Sequence, residues 1–389
     1  MAKVLILTAG YGEGHNSAAR VLQAAFNERP GIDAELVDIF ALRAPRLNAV
    51  SRRAYLKLIN TAPGAWSRLY RWLDESPRTP WLFRALGSHR RLLGRIIAEK
   101  QPVAIVATFP AYPWLLNQLR REGHFFCPHY TVVTDALTIN SVWYRPASAG
   151  WFVTDADSAA LLRARGVPGD RIHVSGFPVA LAFADRAPHL QPPEACHLLD
   201  DKLPSSALPR PRVLFMINTG RTAARAITRA LLQLPGWHLT ITAGRDEKLR
   251  HELLELAKGA PAKAEILGWT NRIPELLMTH HAVISKAGGA TTQESINAHC
   301  PLLISQIVPG QEEGNYELIR HHDAGALTET PEAIVTTLNR MFEHDAKLWH
   351  HWRANLRRLA RPAAARQIAT RVLAGATTPA TRPAISLIE

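Results

Sequence analysis

The sequence predicts an α/β protein built from two Rossmann-like domains. Short apolar runs, among them Val4–Leu7, Val103–Ala107, 212–217 and Ala282–Ser285, each end in a glycine-bearing or polar turn, and most lead into a helix-length segment. A chain of 389 residues exceeds one ordinary core, and a hydrophobic fraction of 47% lets two cores form. The stretch from Pro188 to Pro211 is proline-rich with no apolar period and reads as a connector. The expected domains are therefore residues 1–187 and 212–345, joined by the connector 188–211 and followed by C-terminal helices over 346–375 and a loose tail over 376–389.

Composition narrows the classes of function. Cys127, Cys196 and Cys300 lie far apart with no CxxC pair, which points to a reducing compartment and no zinc site. Met1-Ala2-Lys3 and Val4–Leu7 offer one basic residue and an apolar run too short for a signal peptide, so none is expected. Pro102–Leu119 carries no charge but is broken by Pro110 and Pro113, so no segment is expected to span a bilayer. The formal net charge of +13 draws the chain toward an anionic polymer or surface, and composition alone leaves nucleic acid and membrane both open.

At the N-terminus, Val4–Leu7 runs into Thr8-Ala9-Gly10-Tyr11-Gly12-Glu13-Gly14-His15 and an Ala-rich helix, Ser17–Asn27. The loop supplies neither a GxGxxG fingerprint nor a P-loop. Its glycines leave His15 accessible, and an imidazole there suits proton transfer as well as a helix-end packing role. Tyr130–Val133 ends in Thr134-Asp135, a position where an aspartate either meets a ligand or caps. Asp155-Ala156-Asp157 has a metal-binding form but opens a helix, where acids favour the dipole, so no metal is assigned.

From Arg52 to Arg95 there are ten Lys or Arg against two acids, interleaved with Tyr55, Trp66, Tyr70, Trp72, Trp81 and Phe83. Tyr55, Leu56, Leu58 and Ile59, then Trp66, Leu69, Tyr70 and Leu73, follow helical spacing with basic flanks. Such helices suit an anionic membrane surface; packing into the core or stacking on RNA are the competing readings.

In the second half, Ala282–Ser285 turns through Lys286-Ala287-Gly288-Gly289 into a helix closed by Pro301. The glycines and the helix start suit a diphosphate. A second run, Leu302–Val308, ends in Pro309-Gly310 and delivers Gln311, Glu312 and Asn315 to the same sheet edge. Glu294 lies three residues after Thr291, which is also the spacing of a capping box.

Lys286–Gly289, Thr291-Thr292, Glu294 and Pro309–Asn315 resemble the donor-binding half of the monogalactosyldiacylglycerol synthase and processive diacylglycerol glucosyltransferase family. These are GT-B enzymes related to the lipid II N-acetylglucosaminyltransferase. Gly12, Gly14, His15-Asn16-Ser17-Ala18, Val132-Val133-Thr134-Asp135, Trp143 and Arg171–Pro178 resemble its N-terminal motifs. The resemblance implies two Rossmann-like domains facing each other across a cleft, a UDP-sugar donor, a lipid acceptor, a peripheral cytoplasmic location, and no cofactor or metal. It gives His15 and Asp135 to catalysis. It gives Gly14, Thr219, Gly220, Arg245, Trp269, Ile273, Lys286, Gly288, Gly289, Thr291, Glu294, Gln311, Glu312 and Asn315 to the donor. Tyr55, Trp66, Arg68, Tyr70, Arg71, Trp72 and Trp81 would face the membrane and acceptor. Three places depart from the family pattern: Phe109 stands in a Thr-His-Pro segment, Asn218-Thr219-Gly220-Arg221 replaces a glycine-rich loop, and Asp246 replaces the Asn of a Gly-Arg-Asn turn.

The expected function is transfer of a hexose from a UDP-sugar to a lipid hydroxyl, most plausibly that of diacylglycerol, with no nucleic acid partner. Three alternatives stand beside it: an N-acetylglucosaminyltransferase on a polyprenyl lipid, a UDP-sugar epimerase on the same fold, and a basic RNA-binding protein with a nucleotide fold.

Overall fold

The computed structural model describes residues 1–61, 63–76, 78–125, 127–186, 191–192, 210–308 and 312–377, and between 52 and 70 the side chains of 53, 54, 64 and 68. The described chain divides into two compact units. Met1–Val179 and the last helix form one, and Ala180–Val308 with Glu312–Pro362 form the other. Most of the expected connector and tail, 193–209 and 378–389, lies outside the described residues.

In the first unit β1 (Ala2–Leu7), β2 (Ile32–Val37), β3 (Ala104–Ala107), β4 (His129–Val132), β5 (Gly150–Val153) and β6 (Ile172–Val174) form a sheet in the order β2-β1-β3-β4-β5-β6. All its pairs are parallel, with Leu5 opposite Glu35 on one side and Ile105 on the other. Parallel strands covered on both faces must be apolar throughout, and Val4, Leu5, Ile6 and Leu7 are all fully buried. The helix Glu13–Asn27 lays Ala18, Ala19, Leu22, Ala25 and Phe26 on the sheet at the three- and four-residue spacing of one helical face.

The second unit repeats the plan. β7 (Arg212–Met216), β8 (His238–Thr242), β9 (Lys263–Leu267), β10 (Ala282–Lys286), β11 (Leu302–Gln306) and β12 (Gly325–Leu327) run parallel in the order β12-β11-β10-β7-β8-β9. Its core joins Phe215, Ile227, Leu231, Ile241, Leu253, Ile284, Leu338 and Trp349. At Gly325 an added Cβ would lie 2.2 Å from the Leu302 carbonyl oxygen, so the β11–β12 contact admits no side chain there.

Both sheets have a place where the chain order reverses direction. In the first it falls between β1 and β3, in the second between β7 and β10. Loops on either side of such a point splay apart beyond the strand ends and leave a crevice for a ligand.

The C-terminal region differs from its expected division. The helix Pro331–Leu359 bends at Glu343–Ala346, where three residues have positive φ, and stays with the second unit. Its Trp349, Trp352 and Leu356 are buried at the three- and four-residue spacing of one helical face. The last helix, Ala364–Thr377, belongs to the first unit. There it packs along Glu13–Asn27, and the Arg366 guanidinium forks onto Glu28 at 2.7 and 2.8 Å. Residues 45–100 are helical throughout most of their length, as Pro45–Thr61, Pro63–Glu75, Thr79–Arg84 and Gly87–Lys100.

Candidate active site

At the first switch point His15 is the third residue of its helix and only 9% exposed. Its Nδ1 lies 2.8 Å from the Thr134 hydroxyl, beyond the end of β4. Its ring meets Phe109, after β3, edge-on at 5.2 Å and Trp143 at 5.8 Å. Phe109 in turn stacks on Tyr11 of the glycine loop. Burial among these rings disfavours the imidazolium and pulls the His15 pKa down to about 4, against a smaller opposing backbone hydrogen bond at Thr108. The imidazole is therefore neutral near pH 7. In the tautomer whose Nδ1–H donates to Thr134, Nε2 keeps its lone pair. Gly12 borders that edge: an added Cβ would stand 3.3 Å from Cδ2 and 3.7 Å from Nε2.

Asp135 turns its carboxylate to the Trp143 indole N–H at 2.8 Å, so it braces a wall of the pocket while Thr134 makes the direct contact to the ring. The sequence reading passed over Thr134 because a threonine at a strand end carries no periodic signal. Gly14 precedes His15 in the first turn of the same helix. Asp155 caps the helix Ala156–Ala164 by accepting from Ser158 N at 2.7 Å, the role its position suggests.

At the second switch point the chemistry is polar and charged. Asn218, beyond β7, donates to Ser285 Oγ at 2.7 Å and accepts from Lys286 N at 3.1 Å, stitching the two strands on either side of the crevice. The β10–β11 register slips between Ser285 and Lys286, where β11 holds an extra residue. The bulge lies in β11, opposite the junction of Ser285 and Lys286 at the end of β10. The ammonium is ion-paired with the buried carboxylate of Glu312, whose other oxygen accepts from Val308 N at 3.0 Å. Asn315 donates to the Ala287 carbonyl at 2.9 Å and so holds the glycine turn. Gly288 is the N-cap of the helix Gly289–Ala298 and Gly289 its first residue; no side chain caps this helix end. The backbone N–H groups there lack intrahelical partners, which is the arrangement that receives an anion.

The cap at Gly288 also decides between the two readings of Glu294. Thr291 sits inside the helix, so Glu294 is not the partner in a capping box. Its half-buried carboxylate has no hydrogen-bond or ion-pair partner among the described residues, and burial raises its pKa to about 7.

Around this turn stand the other expected donor residues. Gly220 is the N-cap of Arg221–Leu232, and the Thr219 hydroxyl beside it is buried with no hydrogen-bond partner among the described residues. Gly244 adopts φ +61, a conformation that favours glycine, and Arg245 follows it at 5.8 Å from the centre of the exposed Trp269 ring. Ile273 opens the helix Ile273–Thr279. Gln311 lies outside the described residues. Two departures from the family pattern prove to be one feature. Arg221 forks onto Asp246 at 2.7 and 2.8 Å, and Asp246 also accepts from Leu249 N at 3.1 Å. A fork between the loops after β7 and β8 thus stands where the pattern has a glycine and an asparagine.

Of the expected membrane residues, Arg68, Arg71, Trp72 and Trp81 are exposed, Trp81 by 66%. The side chains of Tyr55, Trp66 and Tyr70 lie outside the described residues. Sequence reading missed Leu42, Leu47, Val50 and Leu82, which are likewise exposed. Among the described residues no helix is long and apolar enough to cross a membrane.

Two parallel six-stranded sheets of this order define the GT-B class of glycosyltransferase fold. Solved structures bear this out over most of the chain. MurG of Acinetobacter baumannii matches 96% of this chain and 100% of its own with a TM-score of 0.60 at 14% identity. The S. aureus MnaA–UDP co-structure matches 96% of each chain with a TM-score of 0.58 at 11% identity. Within that class, the model of the monogalactosyldiacylglycerol synthase family matches residues 15–179. A processive diacylglycerol beta-glucosyltransferase of Bacillus cytotoxicus is 24% identical over 89% of this chain and 87% of its own length. Another, from Bacillus mycoides, is 22% identical over 96% and 93%. Residues 15–179 are thus similar to the monogalactosyldiacylglycerol synthase family, and the relatives that match most of the chain are processive diacylglycerol beta-glucosyltransferases.

Proposed function

We propose that this protein transfers a hexose from a UDP-sugar to the hydroxyl of diacylglycerol at an anionic membrane surface. The observation that carries the reading is a buried, neutral imidazole at a sheet edge in a chain whose near-full-length relatives are diacylglycerol glucosyltransferases. The acceptor hydroxyl gives its proton to His15 Nε2 as its oxygen attacks the anomeric carbon. The bond from that carbon to the diphosphate breaks, and UDP departs with the electron pair. Lys286, Arg245 and the N–H groups of the Gly288-Gly289 turn neutralise the leaving diphosphate, where the developing charge must be met. Glu294, with no partner among the described residues, accepts from the ribose hydroxyls. Glu312 and Gln311 serve the sugar, with Glu312 also setting the position of Lys286.

For the surface, six of the large apolar side chains exposed in the described chain fall between Leu42 and Leu82, among exposed arginines. Apolar area that reaches the headgroup layer, with basic residues worth about 1 kcal/mol each near anionic lipid, supports reversible docking.

The test offers UDP-glucose and UDP-galactose separately to the protein with diacylglycerol in phosphatidylglycerol vesicles and follows the lipid by mass spectrometry. Gain of one hexose from either donor is expected. A protein that binds UDP but leaves diacylglycerol unmodified with both would overturn the acceptor assignment. Sedimentation with anionic but not neutral vesicles, reversed as salt shortens the Debye length toward about 3 Å at 1 M, is expected for the surface. Changing Trp72 to Ala should weaken the salt-resistant part of that binding, and changing Arg68 and Arg71 to Gln the salt-sensitive part.

A further inference from the structure

The exposed apolar residues sit on helices whose inward sides are tied to the walls of the His15 pocket. On Pro45–Thr61, Leu47 and Val50 face solvent, while Ser51 is hydrogen-bonded to the Tyr11 hydroxyl at 2.7 Å and to the Asn48 carbonyl at 3.0 Å. Tyr11 is in the glycine loop that leads to His15, and its ring stacks on Phe109, which touches the imidazole. On Pro63–Glu75, Trp72 is exposed, while two residues on Asp74 takes the Ser141 amide on its carboxylate and the Ser141 hydroxyl on its backbone oxygen, the latter at 2.7 Å. Arg145 adds a bond to the Ser76 carbonyl at 3.0 Å. Ser141 begins the short 3-10 turn Ser141–Trp143, and Trp143 is the other ring against His15. A third tie comes from Thr79–Arg84. Trp81 and Leu82 are exposed there, and Phe83 stacks on Trp114, whose indole N–H donates to the Val142 carbonyl at 3.0 Å.

Each of the three helices therefore offers apolar groups outward and is joined inward, through one or two further residues, to Phe109 or Trp143, the rings that meet the imidazole. Both rings that enclose His15 are held in this way. We propose that Ser51, acting through Tyr11, and Asp74, acting through Ser141 and Trp143, are positioning residues that transmit membrane docking to the His15 pocket, so that the pocket is set for proton transfer when the helices are seated on lipid. This inference rests on the membrane and acceptor reading above.

A helix with large apolar side chains in water has several arrangements of similar energy, and a bilayer that receives those side chains selects among them. The hydrogen-bonded ties pass that selection to the loop and to the 3-10 turn. Misplacement of a base by a fraction of an ångström is costly to rate, so small shifts at Tyr11 and Trp143 suffice.

Three variants test it. Tyr11→Phe removes one oxygen and keeps the stacked ring, Asp74→Ala removes the carboxylate, and Asp74→Asn keeps an acceptor oxygen for the Ser141 amide. Each is assayed for sedimentation with phosphatidylglycerol vesicles, for UDP affinity by calorimetry, and for turnover on vesicle-borne against dispersed short-chain diacylglycerol. The wild type is expected to turn over faster on vesicles by about 5-fold or more, the size of an ordinary coupling between sites. Its amide exchange at 10–15 and 141–143 should slow when vesicles are added. Tyr11→Phe and Asp74→Ala should sediment and bind UDP as the wild type does, while the vesicle gain and the slowed exchange are lost. Asp74→Asn should retain both. If Asp74→Ala does not fold, Tyr11→Phe carries the comparison alone. A wild type that sediments and turns over but gains nothing from vesicles overturns the inference and leaves the proposed function standing. So does a full vesicle gain in Tyr11→Phe and Asp74→Ala, or an equal loss in Asp74→Ala and Asp74→Asn. A wild type that ignores vesicles overturns both.

Discussion

The two switch points share a topology and oppose one another in chemistry. In the first unit the crevice is walled by Phe109, Trp143 and Tyr11, and the polar group at its centre is uncharged near pH 7. In the second the crevice gathers an ion-paired lysine, an uncapped helix start and a carboxylate with no partner among the described residues. One fold plan opens a crevice at the same edge twice, and the loops decide whether its surroundings lower a proton affinity or present unpaired donors. In the first, burial keeps the His15 imidazole neutral, as the proposed base requires. In the second, fixed donors stand where a leaving group's charge would appear.

Removing the centre of each crevice should separate the two roles. His15→Ala is expected to lower turnover by about 100-fold or more, as when a general base is lost, with UDP affinity nearly unchanged. Stopped turnover measurements and calorimetry on one preparation check both halves. Turnover within a few-fold of wild type would make His15 a packing residue. Because the buried imidazole titrates at about 4, the acid limb of the rate profile should not appear near the ordinary value of 6.5. The same depression favours the folded state above pH 6.5 and is lost as pH falls toward 4, so acid should destabilise the wild type more than His15→Ala.

Glu294→Ala should instead strike the donor, weakening UDP by roughly 10-fold or more through lost hydrogen bonds to a charged group, while the folded state survives. The carboxyl titrates at about 7 and the bound ribose would favour its ionised form, so affinity for a UDP-sugar should rise with pH up to about 7 and level off above it. A UDP-sugar is the right probe because its diester diphosphate does not titrate in that range. Stability runs the other way: the raised value gives a contribution that is full below 4.5 and lost as pH climbs through about 7. Glu294→Gln should therefore flatten the affinity profile, and its melting temperature should gain on the wild type at pH 8 relative to pH 5. A Gln variant whose affinity still rises with pH would sink the assignment.

Most of the two edges could be read from the residues, because buried parallel strands announce themselves as apolar runs and their ends as glycine and polar turns. Val4–Leu7, Ala282–Lys286 and Leu302–Gln306 sit where those runs lie, and His15, Lys286 and Glu294 follow from them. What escaped depends on contacts between distant segments. Thr134 meets His15 across 119 positions, and Asn218 joins Lys286 across 68. Arg221 and Asp246 could have been paired in advance, since they are opposite charges that depart from the same pattern just beyond β7 and β8, which the plan makes neighbours. Whether Glu294 belongs to a capping box turned on which residue caps, and Gly288 rather than Thr291 does so because the helix begins two residues before Thr291.

The smallest expected effects come from the glycine nearest each centre, and they should fall on different quantities. At Gly12 a methyl would stand 3.3 Å from His15 Cδ2, so the imidazole must yield by a few tenths of an ångström. If a displacement of about 1 Å costs about 100-fold, this one should cost a few-fold in turnover and leave UDP affinity alone. At Gly288 a methyl meets Lys286 Cε at 3.7 Å and Glu312 Oε1 at 3.9 Å, ordinary contacts in a backbone conformation open to any residue, so the fold has room for it. Its cost arises when a diphosphate must approach the N–H groups of the turn, where bare backbone permits the closest approach. Gly288→Ala should therefore weaken UDP several-fold and leave the rate at saturating donor close to wild type. Steady-state kinetics on the pair decides the matter. A turnover loss in Gly288→Ala with intact donor affinity, or weaker UDP binding in Gly12→Ala with intact turnover, would show that the two crevices do not divide the chemistry as their surroundings imply.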